Sequence, residues 1–338
     1  MPNRQPLSDV SQQPPARREW RPGSAHPTRE QATARVADYQ RQRLLKAALG
    51  VAAESGYGAM SATAVVTRAG VSRKTFYDLF ADRDECFLAA LDEALMQMAA
   101  AVAPAWEQEG KWSKRLREAL IAALRFLDDE REAGEPVISY LVGCGPKSAE
   151  LRLQVLELLR EAVEEGCSQE KALAQRSPLT AEFVVGGVLA VVHTRLRAHS
   201  PQTMALVNPL MSTIVLPYLG PAAAGRELNR ATPTGPASPP KRPSDPLRRL
   251  KMRLTYRTAR VLEVIDGFPG ASNAEIGAHA GMADQGQISK LLGRLAGLGL
   301  IENTGPGQLA GGANAWRLTS SGEQLEAAIR RKSIVGGR

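Results

Sequence analysis

Apolar positions between residue 40 and about residue 219 recur at intervals of three and four, the period of helices, and no strand-like alternation interrupts them. In 43–54, Leu44, Ala47, Ala48 and Val51 fall at i, i+3, i+4 and i+7, which predicts a helix that ends before Gly56. Ser61 offers a capping hydroxyl ahead of Ala62, Val65, Val66 and Ala69, so a second short helix is expected to close in a tight turn at Gly70. Ser72 then caps a third helix, from Arg73 to about Phe80. Further breaks are expected at Pro104, Gly134, 143–146 and 177–178.

The character changes at 221–253, where Pro233, Pro236, Pro239, Pro240, Pro243 and Pro246 precede Arg248, Arg249, Lys251 and Arg253. Such a stretch reads as a semi-extended basic linker, and its roughly thirty residues would span on the order of 30 Å or more. Helical spacing returns in Thr258, Val261, Leu262 and Ile265 and ends at Gly267 to Gly270. Two capping boxes follow, Ser272 with Glu275 and Asp284 with Gln287. In the second of these helices Ile288, Leu291, Leu292 and Leu295 form the buried stripe, which leaves Gln285, Gln287, Ser289, Lys290 and Arg294 outward. A Gly-rich segment at 300–319 has the spacing of two short strands before a last helix.

The expected fold class is mainly α: a helix-turn-helix head at 36–85, an all-helical body at 86–220, the linker, and a small α+β unit at 254–332. Residues 1–35, with Gln12, Pro14, Pro15, Arg17, Arg18 and Arg21, have little to bury and read as a disordered basic arm.

Charge narrows the partners. The 338 residues carry 43 Lys and Arg against 35 Asp and Glu, a net charge of +8 and an isoelectric point near 9.6, which favours a polyanionic partner. Cys86, Cys144 and Cys167 form no C-x-x-C pair, so neither a disulfide framework nor a cysteine zinc site is expected. Cys144 and Cys167 have oxidant sensing as an option beside the commoner role of inert thiols. The N-terminus lacks a secretory apolar run, no stretch reads as long enough to span a bilayer, and a cytoplasmic protein without membrane contact is expected. No nucleophile–base set, paired carboxylates or phosphate loop stands out, and His193 and His199 are six apart, not the spacing of a helical metal pair. No enzyme, catalytic residue, metal or cofactor is therefore expected.

In the third helix Phe76 and Phe80 share one face while Arg73, Lys74, Tyr77 and Asp78 share the other, the division a DNA-reading helix needs. The segment GYGAMSATAVVTRAGVSRKTFYDLFADRDECF, residues 56–87, resembles the DNA-binding signature of the TetR family. The resemblance lies in Gly56-Tyr57, in Ala69-Gly70-Val71-Ser72 at the turn, in Phe76-Tyr77 and Phe80, and in the acidic run at 82–85. It implies that Ser61 and Thr63 contact the DNA backbone, that Ser72, Arg73, Lys74 and Thr75 face the groove, and that Tyr77 holds a phosphate. Arg83 stands where the family usually has a phosphate-contacting Lys, and Leu79 replaces a frequent His, so core packing is expected of it.

The same resemblance implies a homodimer on a palindromic operator in double-stranded DNA, released by a small-molecule effector. Trp106, Trp112, Phe126, Tyr140 and Phe183 are candidates to line the effector site, with ordinary core as the alternative. Two unusually apolar segments, 181–196 and 202–218, correspond in order to the family's dimer helices. They put Val184, Val188, Val191, Leu206, Leu210 and Ile214 at the interface, where small Gly186, Gly187 and Ala190 allow close approach. The tail resembles MarR-like winged-helix modules through Leu298-Gly299-Leu300-Ile301, Trp316-Arg317-Leu318-Thr319 and Gly322, although its wing, 305–314, lacks arginine. Such modules bind DNA or dock proteins, so the tail is open to both readings, and an architectural DNA-bridging protein without effector is the further alternative.

Overall fold

The computed structural model describes residues 29–146, 149–166, 177–198, 203–232, 254–305 and 313–330. Most of the expected N-terminal arm, the proline-rich part of the linker, Cys167, His199 and most of the wing lie outside the described residues. The chain divides into two compact units, Ala37–Leu254 and Thr255–Arg338 together with Met1–Val36.

The first unit opens with α1 (Arg29–Ser55), a 3-10 turn (Tyr57–Ala59), α2 (Ala62–Ala69), α3 (Arg73–Leu79) and α4 (Arg83–Trp106). α1 therefore begins within the stretch expected as an arm. The stripe Leu44, Ala47, Ala48 and Val51 is buried and joins Val65, Phe76 and Phe87 in one core. Local chemistry sets the joints. Ser61 Oγ accepts the N–H of Ala64 at 3.2 Å, and Ser72 Oγ accepts that of Thr75 at 3.0 Å, which satisfies donors that a helix start leaves open. Between them Gly70 adopts φ 61° and donates to Thr67 and Val66, a left-handed closure that costs a side-chain-bearing residue but not glycine.

The body continues with α5 (Trp112–Asp129), α6 (Arg131–Leu141), α7 (Glu150–Glu164), α8 (Thr180–Arg197) and, after a 3-10 turn (Thr203–Leu206), α9 (Val207–Leu228). α4 packs on α5 and α6, α8 on α6 and α7, and α9 on α5 and α8. Cys86, Phe87 and Leu91 of α4 carry the head's core directly into the body's. Pro104 lies inside α4 near its end. Gly134 lies inside α6 rather than at a break, buried where a Cβ would stand 2.8 Å from Leu127 Cδ2.

The linker also starts later than the sequence suggests. Gly220 turns to φ 78° and kinks the chain, after which helix resumes to Leu228 with Ala223 and Ala224 buried. A polar knot holds this extension: Arg117 pairs with Glu227 and with Asn208, Asn208 Nδ2 donates to the Arg230 carbonyl at 2.6 Å, and Arg230 pairs with Glu227 at 3.0 Å. The Arg117–Glu227 pair is almost dry, and each charge is satisfied by more than one partner, as a buried ion pair requires. By length and composition two helices, α4 and Thr203–Leu228, are apolar enough to cross a membrane, contrary to the sequence expectation. Both contribute residues to the unit's core.

In the second unit α10 (Tyr256–Gly267), α11 (Asn273–Ala280) and α12 (Gln285–Gly297) precede β1 (Ile301–Asn303), β2 (Trp316–Leu318) and α13 (Ser320–Arg330). β1 and β2 are antiparallel with Ile301 opposite Leu318, and Ala271 bridges Trp316 on the other edge. The buried faces of Ile276, Ile288, Leu292, Leu295, Leu300 and Leu325 close the core. Trp316 Nε1 donates to Asn273 Oδ1 at 2.6 Å and ties the sheet to α11. The mainly α fold class, with a helix-turn-helix head and one small sheet near the C-terminus, is as expected.

Candidate nucleic-acid interface

α3 is a short helix whose inner side is anchored by Phe76 and Phe80, with ring centroids 5.9 Å apart. Leu79 is half-buried against the same core, as expected for a residue that packs rather than contacts DNA. The outer side presents Arg73, Lys74 and Tyr77, the last 58% exposed although its ring meets Phe76 edge-on at 5.2 Å. Arg73 Nη2 donates to Thr63 Oγ1 at 2.5 Å, so α2 holds the first cation of α3 in place. Lys74 has no ion pair among the described residues. The surface therefore combines a fixed guanidinium, a free ammonium and a phenol beside the N-terminus of a helix, which is where phosphates and base edges are met by helix-turn-helix proteins.

Other sequence candidates have work inside the fold. The hydroxyls of Ser61 and Ser72 are caps, and Ser72 Oγ also meets Thr75 Oγ1 at 2.8 Å. Arg83, 38% exposed, bonds the Met60 carbonyl, lies 5.2 Å from the Tyr57 ring centroid and pairs with Asp84 at 3.2 Å. Within the head it therefore also acts as a brace between α4 and the 3-10 turn. Beside it, burial and then the bond to Asp84 push the Tyr57 phenol up to about 12. Sequence reading missed Arg68, which pairs with Glu54 of α1 at 2.6 Å and with Glu132 of α6 at 3.2 Å. Nothing in the local sequence signals a contact across so many residues.

Of the residues expected to line an effector site, four lie in or against the core of the body and one does not. Trp112 and Tyr140 are fully buried core, the Trp112 indole donating to the Ala162 carbonyl at 2.8 Å. Trp106 and Phe126 are half-buried, and the Arg115 guanidinium stands 4.9 Å from the Trp106 ring centroid. Phe183 is 76% exposed and is corrected: it projects from α8 into solvent. Among the expected interface residues, Leu206, Leu210 and Ile214 are buried in the subunit's own core and are likewise corrected, Val184 and Val188 are half-buried against that core, and Val191 is exposed. The outward apolar stripe is instead Phe183, Gly187, Ala190 and Val191 on α8 with Leu216 on α9. Its helical spacing was legible; which of the two apolar sides faces the core was not. Of the thiols, Cys86 is buried, which pushes it up to about 12 and leaves it unreactive. Cys144 is exposed.

In the second unit Gln285, Gln287, Ser289, Lys290 and Arg294 are all exposed on α12. The Ser272–Glu275 capping box is present in both directions. That of Asp284 and Gln287 is not: Asp284 caps the N–H groups of Gly286 and Gln287, but the Gln287 amide turns to Asp284 Oδ2 at 2.9 Å instead of the cap backbone. Its other end accepts from Arg257 Nη1 at 2.9 Å.

The α2–turn–α3 geometry with an exposed cationic face is that of a helix-turn-helix DNA-binding head. Residues 44–90 match the family described as bacterial regulatory proteins, tetR family. The chain therefore carries a TetR-family N-terminal domain and is a DNA-binding transcriptional regulator. Among solved structures it is similar to a TetR-like transcriptional regulator from Rhodococcus sp. RHA1, with 22% identity over 52% of this chain and 94% of that one and a TM-score of 0.42. The fatty acid degradation regulator FadR from Bacillus halodurans is 19% identical over 52% of this chain and 94% of its own, with a TM-score of 0.45. Full-length tylp, a TetR regulator from Streptomyces fradiae, is 18% identical over 56% and 91%, with a TM-score of 0.44. Likenesses this distant fix no functional detail. No curated protein matches the chain.

Proposed function

We propose that this protein is a cytoplasmic homodimeric regulator, not an enzyme, that holds a palindromic operator through the α3 helices of its two subunits and releases it when a small effector binds in the helical body. The observation that carries the reading is the exposed set Arg73, Lys74 and Tyr77 on a capped helix whose other face is anchored in the core. Dimerisation is supported by the solvent-facing stripe on α8 and α9, where Phe183, Val191 and Leu216 are 76%, 42% and 47% exposed around Gly187 and Ala190. A twofold pair would set the two heads about one DNA turn apart. Linkage to an effector is supported by Arg68, whose pairs with α1 and α6 make the angle of α2 depend on the body. The second unit has the element order and the strand pair of a winged helix and serves, in this reading, as a second DNA-contacting module.

The test is Lys74→Ala and Tyr77→Ala in the full chain, assayed on a duplex enriched from random-sequence DNA by the unaltered protein. Each is expected to lose specific binding by roughly 5- to 150-fold, the equivalent of about 1–3 kcal/mol, while remaining a folded dimer. Retained specificity would overturn the site. Phe183→Glu with Val191→Glu is expected to give monomers that no longer bind; dimers unchanged in sedimentation would remove α8 from the interface.

A further inference from the structure

Between Thr255 and Arg330 the chain is not basic: it contains six Lys and Arg against seven Asp and Glu. Three of its cations are spent in ion pairs, Arg260 with Glu263 at 2.8 Å, Arg317 with Glu302 at 3.0 Å, and Arg330 with Asp266 at 2.7 Å and Glu326 at 2.6 Å. The other three, Arg257, Lys290 and Arg294, have no acidic partner among the described residues. They also lie on one surface, since Arg257 reaches Gln287 and Gln287, Lys290 and Arg294 succeed one another at i, i+3 and i+7 along α12.

On the outward face of α12, Lys290 stands in a stripe whose other positions are glycines. Gly286, Gly293 and Gly297 fall there at i, i+7 and i+11, all exposed, and Gly293 and Gly297 have open space around them. Glycine disfavours a helix relative to alanine, and nothing in this unit's packing requires it at those two positions. Glycine positions let a partner's backbone come close and themselves offer no side chain to hydrogen-bond base edges. Gln287, the amide on the cationic edge, has both ends engaged, by Arg257 and by Asp284. Asp284 further occupies the first N–H groups of α12 with a carboxylate, at the place where α3 has the neutral Ser72. Phosphate is thereby turned away from the helix tip and toward the cationic edge.

We infer that the second unit grips the sugar–phosphate backbone of a DNA duplex through Arg257, Lys290 and Arg294 and does not read its bases. The inference rests on the reading of this unit as a DNA-contacting module and specifies what it contacts. The first unit selects the site, and the second adds affinity that is indifferent to sequence and sensitive to salt.

The experiment uses full-length protein with Arg257→Ala, Lys290→Ala and Arg294→Ala combined, and a second variant with Gln285→Ala and Ser289→Ala, the two exposed polar side chains on the opposite edge of α12. Thermal melting verifies the fold of each. Binding is measured from low to moderate salt on the enriched duplex and on a scrambled duplex of the same composition. The triple variant is expected to lose about tenfold or more on both duplexes alike, to flatten the log–log salt slope by roughly 2 to 3 per subunit, and to enrich the same motif as the unaltered protein. The double variant is expected to change neither affinity nor motif. A triple variant with unchanged affinity and slope, beside a double variant that shifts the motif, would overturn the inference while leaving the unit on DNA. If neither variant alters binding, the module reading itself falls, and an acidic protein segment becomes the partner to seek. Loss confined to the enriched duplex would mean that these cations read bases.

Discussion

Between Ser61 and Leu79, and again between Ser272 and Gly297, the chain builds the same backbone device on two different surfaces. Each begins with a serine whose hydroxyl caps an eight-residue helix, and each helix ends at a left-handed glycine, Gly70 at φ 61° and Gly281 at φ 68°. In each the next residue's N–H reaches back over the turn, Val71 to the Val66 carbonyl at 3.2 Å and Met282 to that of Gly277 at 2.9 Å. Beyond the turn they part. The helix after Gly70 is short, capped by a neutral Ser72, and presents Arg73, Lys74 and Tyr77; the helix after Gly281 is longer, capped by Asp284, and presents glycines edged by cations. The backbone geometry of a helix-turn-helix is thus set by caps and turn, independently of the side chains its second helix presents.

The largest effect that would sharpen this contrast is on binding. Tyr77→Ala is expected to weaken operator binding roughly 5- to 150-fold, whereas Gln287→Ala, whose amide is already committed within the unit, should leave affinity and the enriched motif intact; equal losses in a competition assay would break the comparison. Next come the turns. Gly70→Ala and Gly281→Ala should each destabilise their helix pair by about 1–2 kcal/mol, because a Cβ is strained at positive φ. Gly70→Ala should cost the more, since its Cβ would lie 3.3 Å from Arg43 Nη2 while that of Gly281 meets nothing within 4 Å. Hydrogen exchange of the cap amides reads both.

The smallest effect separates the caps by pH. Backbone N–H bonds from Gln287 and Gly286 hold the Asp284 carboxyl below its ordinary value of 3.8. A group lowered on folding contributes stability that is fully present above its ordinary pKa and is lost as pH falls through the lowered one. Protection at the start of α12 should accordingly fade in acid and lose that pH dependence in Asp284→Asn. The start of α3, capped by Ser72, should show no such acid step, and Ser72→Ala should weaken it by about 1 kcal/mol at any pH.

Much of the head is legible in the amino-acid sequence alone. Ser61, Gly70 and Ser72 act on amides a few residues away, so their spacing places α2 and α3, and the 3.6-residue period turns Phe76 inward and Lys74 outward. The same reasoning fails where a helix is apolar on two sides. In α8 and α9 the pattern cannot say whether Phe183 or Leu210 faces the core, and the three-dimensional packing reverses the assignment of both. It also fails at Gly220-Pro221, which reads as a helix end but is a kink inside one, because Ala223, Ala224 and the Arg117–Glu227 pair recover enough contact to continue the helix.

The sequence by itself determined the elements, their caps, and the two surfaces that α3 and α12 turn outward, because each depends on neighbours within about one helical turn. Only the tertiary structure decided which apolar stripe is core and which is left exposed. It alone brought Arg68 to Glu132 and Arg83 to the Met60 carbonyl, and it fastened Gln287 between Arg257 and Asp284. Most of those outcomes join residues far apart in the chain. Their energy comes from desolvation and pairing at positions that exist only once the helices have packed.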